Sequence, residues 1–306
     1  MLKNNFAVLD IGSNSFHIII ANSPDGRKFE IIDREKAVHR LSSKDGYGRS
    51  YIKDQDIKQA IKLIDLFKTK AVMNGATIRA VATSAVREAI NQDEFVETVF
   101  EKTGVMVEVI DGHREAEYIY SAARHFLHFK NQKILCVDIG GGSTEFITGN
   151  SPKPGFVTSL RMGAVRFTKD FFPDLEVKKT SVIAASHYAA GMVEAIKKDV
   201  AASGFEIAIF SAGTAKSVLS MAIEAGLVAP DEKIFKYEDL VKVTDRVLAA
   251  KDMKDRLQIP GLEPKRADVV VAGVIILRAI FEKLEIKQAY YSEFALREGV
   301  ILELMQ

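Results

Sequence analysis

The stretch LDIGSNS, Leu9–Ser15, decides how the chain is interpreted, because a close copy returns later as VDIGGGS, Val137–Ser143. The two aspartates are 128 residues apart (138 − 10 = 128), a spacing far too long for a solenoid repeat of roughly 20–50 residues. It suits a duplicated domain that carries one copy of the motif in each lobe. The alternative is two unrelated strand ends that happen to read Asp-Ile-Gly.

Strands and helices alternate on both sides of these motifs. Phe6–Leu9 and Phe16–Ala21 are predicted to be buried strands, and Asp54–Asn74 has the apolar spacing of a helix. Two rounds of this alternation predict an α/β protein with two lobes, each a mixed five-stranded sheet flanked by helices. We expect the lobes at 1–125 and 126–306, a helix at about 294–306 that packs back on the first lobe, and an active site in the interlobe cleft.

The composition is that of a globular protein and limits its partners. Lys plus Arg (42) nearly balance Asp plus Glu (41), so no overall field attracts polyanions, and DNA is not an expected partner. The longest apolar run, 269–277, is shorter than the roughly 20 residues that cross a membrane. The N-terminus lacks a signal-peptide pattern, and the single cysteine, Cys136, lies in an apolar strand. We therefore expect a cytoplasmic protein without membrane contact.

The two glycine-rich loops suit phosphate and a metal ion. A strand that ends in Asp and turns through Gly and Ser presents several main-chain N–H groups at one point, and glycine lets a bulky anion approach. Mg²⁺ prefers one or two carboxylates together with phosphate oxygens. Asp138 and Glu145, which starts the outgoing strand, could reach the same ion. Neither loop has the pattern of a P-loop or a dinucleotide-binding fingerprint.

Three further features have more than one interpretation. Ser211–Thr214 lies between a strand and a helix, which favours an anion but also fits ordinary helix capping. Arg87 is predicted in the first turn of a helix, where the dipole disfavours a cation, so it could bind phosphate or simply be solvated. Glu115 opens a helix, and capping or solvent exposure explains such an acid without catalysis.

Taken together, these motifs resemble the exopolyphosphatase/guanosine pentaphosphate phosphohydrolase (Ppx/GppA) family of the actin-, hexokinase- and Hsp70-like fold group. The resemblance implies two actin-like (ribonuclease H-like) lobes. The matching segments occur in family order along the chain and are Leu9–His17, Ala82–Ala89, Gly112–Ala116, Val137–Glu145, Leu160–Arg166, Ser211–Thr214 and Glu298-Gly299.

The resemblance also implies roles for single residues. It makes Glu115 the base that deprotonates the attacking water and turns Arg87 toward the phosphate chain. It implies Mg²⁺, or another divalent cation, bound by Asp138, Glu145 and Asp10. Phosphate contacts are implied for Ser13, Asn14, Ser15, Gly141, Gly142, Ser143, Gly213 and Thr214. Arg40 belongs to a basic segment that fits a substrate-binding role and a solvated face equally well.

The implied reaction is Mg²⁺-dependent release of orthophosphate from polyphosphate, conversion of pppGpp to ppGpp, or both, by a homodimer. Two alternatives remain, a regulator that binds guanosine tetra- or pentaphosphate with little turnover and a small-molecule kinase of the same fold. The sequence departs from the family in two ways. Arg114 and Glu117 reverse the usual charge pattern around Glu115, and the helical domains with which many members continue do not follow. The second departure argues against processive binding of very long chains by one subunit and leaves open short polyphosphate, pppGpp or a channel completed by a second subunit.

Overall fold

The computed structural model describes residues 5–26, 28–41, 43–44, 49–126, 132–150 and 153–306. The chain divides into two compact units. One comprises the residues up to Ala122 together with Leu296–Gln306, and the other comprises Ala123–Ala295. Among the described residues, no helix combines the length and the apolar character that a membrane span requires.

The first unit contains seven described strands. They are β1 (Asn5–Ile11), β2 (Ser15–Asn22), β3 (Glu30–Val38), β4 (Ser43–Lys44), β5 (Ser50–Tyr51), β6 (Thr77–Ala82) and β7 (Val107–Val109). Its helices are α1 (Asp54–Met73), α2 (Ser84–Arg87), α3 (Gln92–Thr103), α4 (Gly112–Phe126, which continues past the unit boundary) and α11 (Leu296–Leu304).

The main sheet of this unit has the strand order β3-β2-β1-β6-β7. β1, β2 and β3 are antiparallel neighbours, whereas β1, β6 and β7 run parallel, so the predicted mixed five-stranded sheet is confirmed. The strand β3 is at most half-buried, and its charged residues, 33–36, leave no alternation of apolar and polar side chains in the sequence.

Apolar side chains of β1 and α1 form the centre of the first core. Val8 and Leu9 of β1 have no exposed surface. Ile57, Ile64 and Phe67 recur on one face of α1 and are buried in the same unit, which explains why the helix forms and which face it turns inward. The sheet and this helix therefore fix the carboxyl end of β1, where the first motif begins.

The second unit repeats this plan with different strand lengths. Its strands are β8 (Ile134–Ile139), β9 (Thr144–Gly149), β10 (Phe156–Leu160), β11 (Ile207–Ser211), β12 (Ile234–Lys236) and β13 (Gln288–Tyr291). Its helices are α5 (Ala164–Phe171), α6 (Lys179–Ser203), α7 (Ala212–Glu224), α8 (Tyr237–Ala249), α9 (Met253–Arg256) and α10 (Val270–Lys283), with a 3₁₀ turn at Pro264–Arg266.

The sheet of the second unit has six strands in the order β10-β9-β8-β11-β13-β12, so the prediction of five was wrong for this lobe. The additional strand, β12, is three residues long and pairs antiparallel with β13 at the edge, too short to leave a period-two pattern. Without it, the order and directions match those of the first sheet. The duplication inferred from the two motifs is therefore present in the topology.

Cys136 is buried in β8, and burial raises the pKa of its thiol.

The helix α11 joins the first unit through a cluster of charged and aromatic side chains. Glu303 accepts hydrogen bonds from Arg79 (2.6 Å) and from the Tyr118 hydroxyl (2.5 Å) and forms an ion pair with Arg114. The Arg114 guanidinium lies 4.5 Å from the centre of the Tyr118 ring, and its Nη1 donates to Glu117 at 3.0 Å. The reversed charges around Glu115 therefore hold α11 against α4.

Replacing Gly299 with alanine should loosen this contact. A Cβ atom at Gly299 would lie 2.1 Å from the carbonyl oxygen of Tyr118, so the backbones of α11 and α4 would have to separate. We expect Gly299→Ala to lower the free energy of unfolding by about 2–3 kcal/mol, measured by urea denaturation. Gly191 of α6 meets nothing within 4 Å, and Gly191→Ala should instead stabilise by about 0.5–1 kcal/mol. Equal effects of the two changes would contradict the close packing.

The carboxylate of Glu303 on α11 should also make the free energy of unfolding depend on pH. Burial alone raises the pKa of Glu303, but hydrogen bonds from Tyr118 and Arg79 and the nearby Arg114 and Arg79 charges outweigh it, so the pKa lies below its ordinary value of 4.5. A depressed carboxyl pKa contributes stability above pH 4.5 and loses it as the pH falls through the lower folded value. At neutral pH, Glu303→Gln should cost about 1 kcal/mol after solvent screening.

This cost should shrink as the pH is lowered below 4.5, because the wild-type carboxylate then becomes protonated as well. Urea denaturation of both proteins at several pH values measures it. Glu101→Gln, an exposed change on α3, is the control and should be near neutral throughout. A Glu303→Gln cost that stays constant with pH would show that the carboxylate charge contributes nothing.

Candidate functional site

The two glycine-rich loops make the same turn. The N–H of Gly12 donates to the carbonyl of Ser15 at 3.2 Å, and the N–H of Gly140 donates to the carbonyl of Ser143 at 3.0 Å. Each loop leaves a central strand and re-enters the sheet as the neighbouring antiparallel strand. The sequence repeat is thus a repeat of local geometry, and each loop is considered within its own unit.

In the first unit, the loop meets the carboxyl ends of parallel strands. The N–H of Thr83, directly after β6, donates to the carbonyl of Ile11, and the N–H of Ile110, after β7, donates to Ala82. The hydroxyls of Ser13 and Ser84 lie 2.9 Å apart and join the loop to α2. Ligands of open α/β sheets bind at such carboxyl ends. Ser84 therefore belongs to this region, together with the predicted phosphate contact Ser13.

Arg40 and Asn14, both predicted to contact phosphate, lie together. The Nε of Arg40 donates to Asn14 Oδ1 at 2.8 Å, and the main-chain N–H of His39 donates to the Asn14 carbonyl at 3.2 Å. These bonds hold the basic segment after β3 against the first loop. Arg40 is thus a loop partner, which favours the binding interpretation over the solvated face.

Glu115, which is buried, and Arg87, which is half-buried, form an ion pair in the same unit. Glu115 is 9% exposed, and its Oε2 lies 3.1 Å from Nη1 of Arg87, which also donates to the carbonyl of Ile110 at 2.7 Å. Solvent exposure is therefore excluded as the explanation of this acid. The dipole argument for Arg87 was wrong, because α2 has only four residues and Arg87 ends it. The pair itself indicates that the two side chains share one site.

Asp138 and Glu145 are paired across the strands β8 and β9 of the second unit. Asp138 is 8% exposed and accepts a hydrogen bond from the Ser211 hydroxyl at 2.5 Å, while Glu145 is 1% exposed and accepts one from Ser159 at 2.7 Å. Directly opposed side chains of antiparallel strands lie within about 5.5 Å at their Cβ atoms. The two buried carboxylates thus lie close together, and each accepts a hydrogen bond from a serine. Ser211 belongs to the segment Ser211–Thr214 identified in the sequence, whereas Ser159 was not identified there.

Hydrogen bonds from the first residues of α5 hold the loop Gly141–Ser143 in place. The carbonyls of Gly140 and Gly141 accept the N–H groups of the first residues of α5, and the Gly142 carbonyl accepts the Nε of Arg166 at 2.8 Å. In a trans peptide the N–H points opposite to the carbonyl. The N–H groups of Gly141, Gly142 and Ser143 therefore point away from α5, on the side where successive main-chain N–H groups can bind an anion.

Gly163 makes this support possible. A Cβ atom there would lie 2.4 Å from the Gly141 carbonyl oxygen, so only glycine lets the backbone before α5 reach the loop. Both Gly163 and Arg166 lie in the quoted segment Leu160–Arg166, but no chemical pattern in the sequence assigns them this supporting position.

The third loop, Ser211–Thr214, connects β11 to α7. Ser211 does not cap the helix, since its hydroxyl donates to Asp138 instead. A Cβ atom on Gly213 would overlap the Arg266 guanidinium at 1.9 Å, so glycine here admits an arginine that the sequence did not single out. Within the described residues, Thr214 Oγ1 is buried without a hydrogen-bond partner. A buried hydroxyl in this condition is suited to a ligand oxygen.

The donors of the second unit fit a magnesium ion. Two buried carboxylates satisfy its preference for one or two carboxylates, with phosphate and water oxygens as the remaining ligands. The part of the chain that the structure describes holds no group of three or more His, Cys, Asp or Glu side chains arranged for a metal. Asp10 lies in the first unit, opposite His17, and its metal contact stays a prediction, whereas Asp138 and Glu145 are paired within the second unit.

Both sheets contain the order of two antiparallel pairings followed by two parallel pairings, and the second sheet adds one antiparallel edge strand, so the chain is an α/β protein of two lobes that share a topology. A model of the Ppx/GppA phosphatase family matches residues 19–306, and the chain belongs to this family. It is therefore a member of a phosphatase family, in agreement with the resemblance seen in the sequence motifs.

Two solved structures illustrate the likeness. An exopolyphosphatase from Cytophaga hutchinsonii is 24% identical, with 98% of this chain and 97% of that chain covered and a TM-score of 0.87, a likeness that shows the fold. The Aquifex aeolicus member of the Ppx/GppA family is 28% identical, with the same two coverages and a TM-score of 0.80. Both likenesses span essentially the whole chain.

Proposed function

We propose that the chain is a magnesium-dependent phosphohydrolase that removes the terminal phosphoryl group of inorganic polyphosphate, of pppGpp, or of both. The observation that carries this proposal is the ion pair between the buried Glu115 and Arg87 at the carboxyl ends of the parallel strands. A carboxylate in such a position suits proton removal from water. The exopolyphosphatase from Cytophaga hutchinsonii supports the substrate class by its likeness.

In the proposed reaction, the oxygen of a water molecule forms a bond to the terminal phosphorus while the bridging P–O bond breaks and orthophosphate is released. Glu115 accepts the proton of the attacking water, and the hydrogen bond from Arg87 fixes the orientation of its carboxylate. The N–H groups of Gly141–Ser143 bind phosphate oxygens. Asp138 and Glu145 would hold Mg²⁺, which neutralises charge on the transferred group when bound.

A phosphate-release assay tests the proposal. The substrates are tripolyphosphate, long-chain polyphosphate and pppGpp, each with and without Mg²⁺, and the expected result is Mg²⁺-dependent release of orthophosphate from at least one of them. Tight binding of pppGpp without release would instead indicate a regulator. Consumption of ATP only in the presence of an acceptor would indicate a kinase.

We also propose that the protein works as a cytoplasmic homodimer, as the family resemblance implies. The buried thiol of Cys136 is compatible with a reducing compartment. Light scattering at working concentration tests the assembly, with twice the chain mass expected. A single-chain mass would contradict the dimer and leave the proposed reaction unchanged.

A further inference from the structure

Ser15, His17 and Arg297 form a hydrogen-bonded chain in the first unit that the proposed reaction does not use. Ser15 begins β2 and His17 lies two residues further on, so both side chains project from the same face of the strand. Ser15 Oγ lies 2.8 Å from His17 Nε2, and Arg297 Nη1 lies 2.6 Å from His17 Nδ1. Ser15 is buried, with 7% of its surface exposed.

The arginine at one end gives this chain a direction. A guanidinium group has only donors, so His17 Nδ1 must accept the hydrogen bond from Arg297 and carries no proton. The ring is then neutral, with its proton on Nε2, and that proton is donated to Ser15 Oγ. Because a hydroxyl has a single hydrogen, the Ser15 O–H is directed away from His17 and can be donated to a ligand.

Helix electrostatics do not explain where Arg297 lies. It is the second residue of α11, in a first turn whose dipole disfavours a cation. Its bond to His17 supplies an interaction that compensates for this position. The arginine is therefore held toward the first loop although its own helix does not favour it there.

The repeat shows that His17 is a specialised position. Asp10 is opposite His17 across β1 and β2, just as Asp138 is opposite Glu145 across β8 and β9. The second unit thus has a carboxylate, suited to a cation, where the first unit has a neutral histidine behind a serine. The two loops thus share one backbone turn but have side chains of different chemistry beside it.

We infer that Arg297 and His17 are positioning residues that fix the Ser15 hydroxyl as a hydrogen-bond donor to a phosphate oxygen of the substrate. The first loop is then an anion subsite of defined polarity, whereas the carboxylate pair belongs to the second loop. The inference rests on the proposed function only for the identity of the ligand, a phosphate chain.

The tautomer of His17 tests the inference without any measurement of activity. In protein labelled with ¹⁵N-histidine at about pH 7, long-range ¹H–¹⁵N correlations distinguish a ring protonated on Nε2 from one protonated on Nδ1 or on both. Comparison with His17→Gln assigns its signal among the six histidines. We expect the Nε2–H form. A proton on Nδ1, alone or together with Nε2, would overturn the inference.

A double-mutant cycle tests the path from Arg297 to Ser15. Ser15→Ala and Arg297→Met should each weaken calorimetric binding of tripolyphosphate about tenfold, the effect of one lost hydrogen bond to a charged group. The double variant should bind no more weakly than Ser15→Ala alone, because Arg297 acts through Ser15. Arg297→Lys keeps a donor and should remain within about threefold of wild type. Additive losses of about a hundredfold would overturn the inference.

Binding and turnover separate this inference from the proposed hydrolysis. Wild-type protein that binds tripolyphosphate without releasing phosphate would contradict hydrolysis, while the cycle would still be measured by calorimetry. Wild-type protein that hydrolyses polyphosphate but is insensitive to Ser15→Ala would contradict the inference alone. A protein that binds no phosphate chain at all would contradict both. His17→Gln, whose amide can accept from Arg297 and donate to Ser15, should restore most of the affinity lost in His17→Met.

Discussion

Glu115→Gln should lower the rate of phosphate release by about 10²–10⁴-fold while leaving substrate binding within about threefold of wild type. The change removes the proton acceptor but keeps an oxygen that can accept the hydrogen bond from Arg87. The buried position, with 9% of the residue exposed, leaves little room for bulk water to take over the role. Single-turnover release of orthophosphate gives the rate, and calorimetry of pppGpp or tripolyphosphate gives the affinity.

Glu117→Gln is the matched control for this experiment. Glu117 lies two residues further along α4, is more exposed, and is paired with Arg114. Its replacement by glutamine should leave the rate within about twofold. Full activity of Glu115→Gln would assign proton removal to another group, and equal losses in both variants would indicate damage to α4 rather than to a base.

Asp138→Asn should abolish most of the magnesium dependence and lower the rate by about 10²–10³-fold, equivalent to about 3–4 kcal/mol of lost transition-state stabilisation. Asparagine keeps the shape of the side chain and an oxygen that can accept from Ser211, so the fold should persist. Only the negative charge beside Glu145 is lost. The rate as a function of Mg²⁺ concentration and Mn²⁺ binding by electron paramagnetic resonance measure the two effects.

Asp199→Asn, an exposed change on α6 in the same unit, is the control and should leave the rate and the metal affinity unchanged. If Asp138→Asn bound Mn²⁺ as tightly as wild type, the metal assignment to the pair of Asp138 and Glu145 would be wrong. A loss of Mn²⁺ binding without a loss of rate would show that the metal is not used in the reaction.

Strongly apolar elements could be predicted from the sequence because their burial leaves a periodic pattern. The strand β8 is buried at every residue and α1 has a buried stripe, so both were located within about two residues. The strands β10 and β12 were missed, because the first is half-buried throughout and the second has three residues. Partial burial and short length remove the signal on which such predictions depend.

The site was only partly predictable for a different reason. The residues of a motif such as the one that ends at Ser15 are neighbours in the sequence, so their chemistry can be inferred without knowledge of the fold. The supporting contacts join distant positions, such as Ser211 to Asp138 and Arg297 to His17, and depend on the sheet topology. Glycine positions show this most clearly, since Gly163 is explained only by a backbone 22 residues away (163 − 141 = 22).

The membership of α11 in the first unit has a consequence for biosynthesis. β1 emerges early from the ribosome, but α11, which packs against it, is translated only after the whole of Ala123–Ala295. The second unit is encoded without interruption, whereas the first needs a helix encoded after it. The first unit therefore cannot complete its fold before α11 has been translated. The nascent chain meanwhile leaves the uncovered surface of β1 accessible to chaperones.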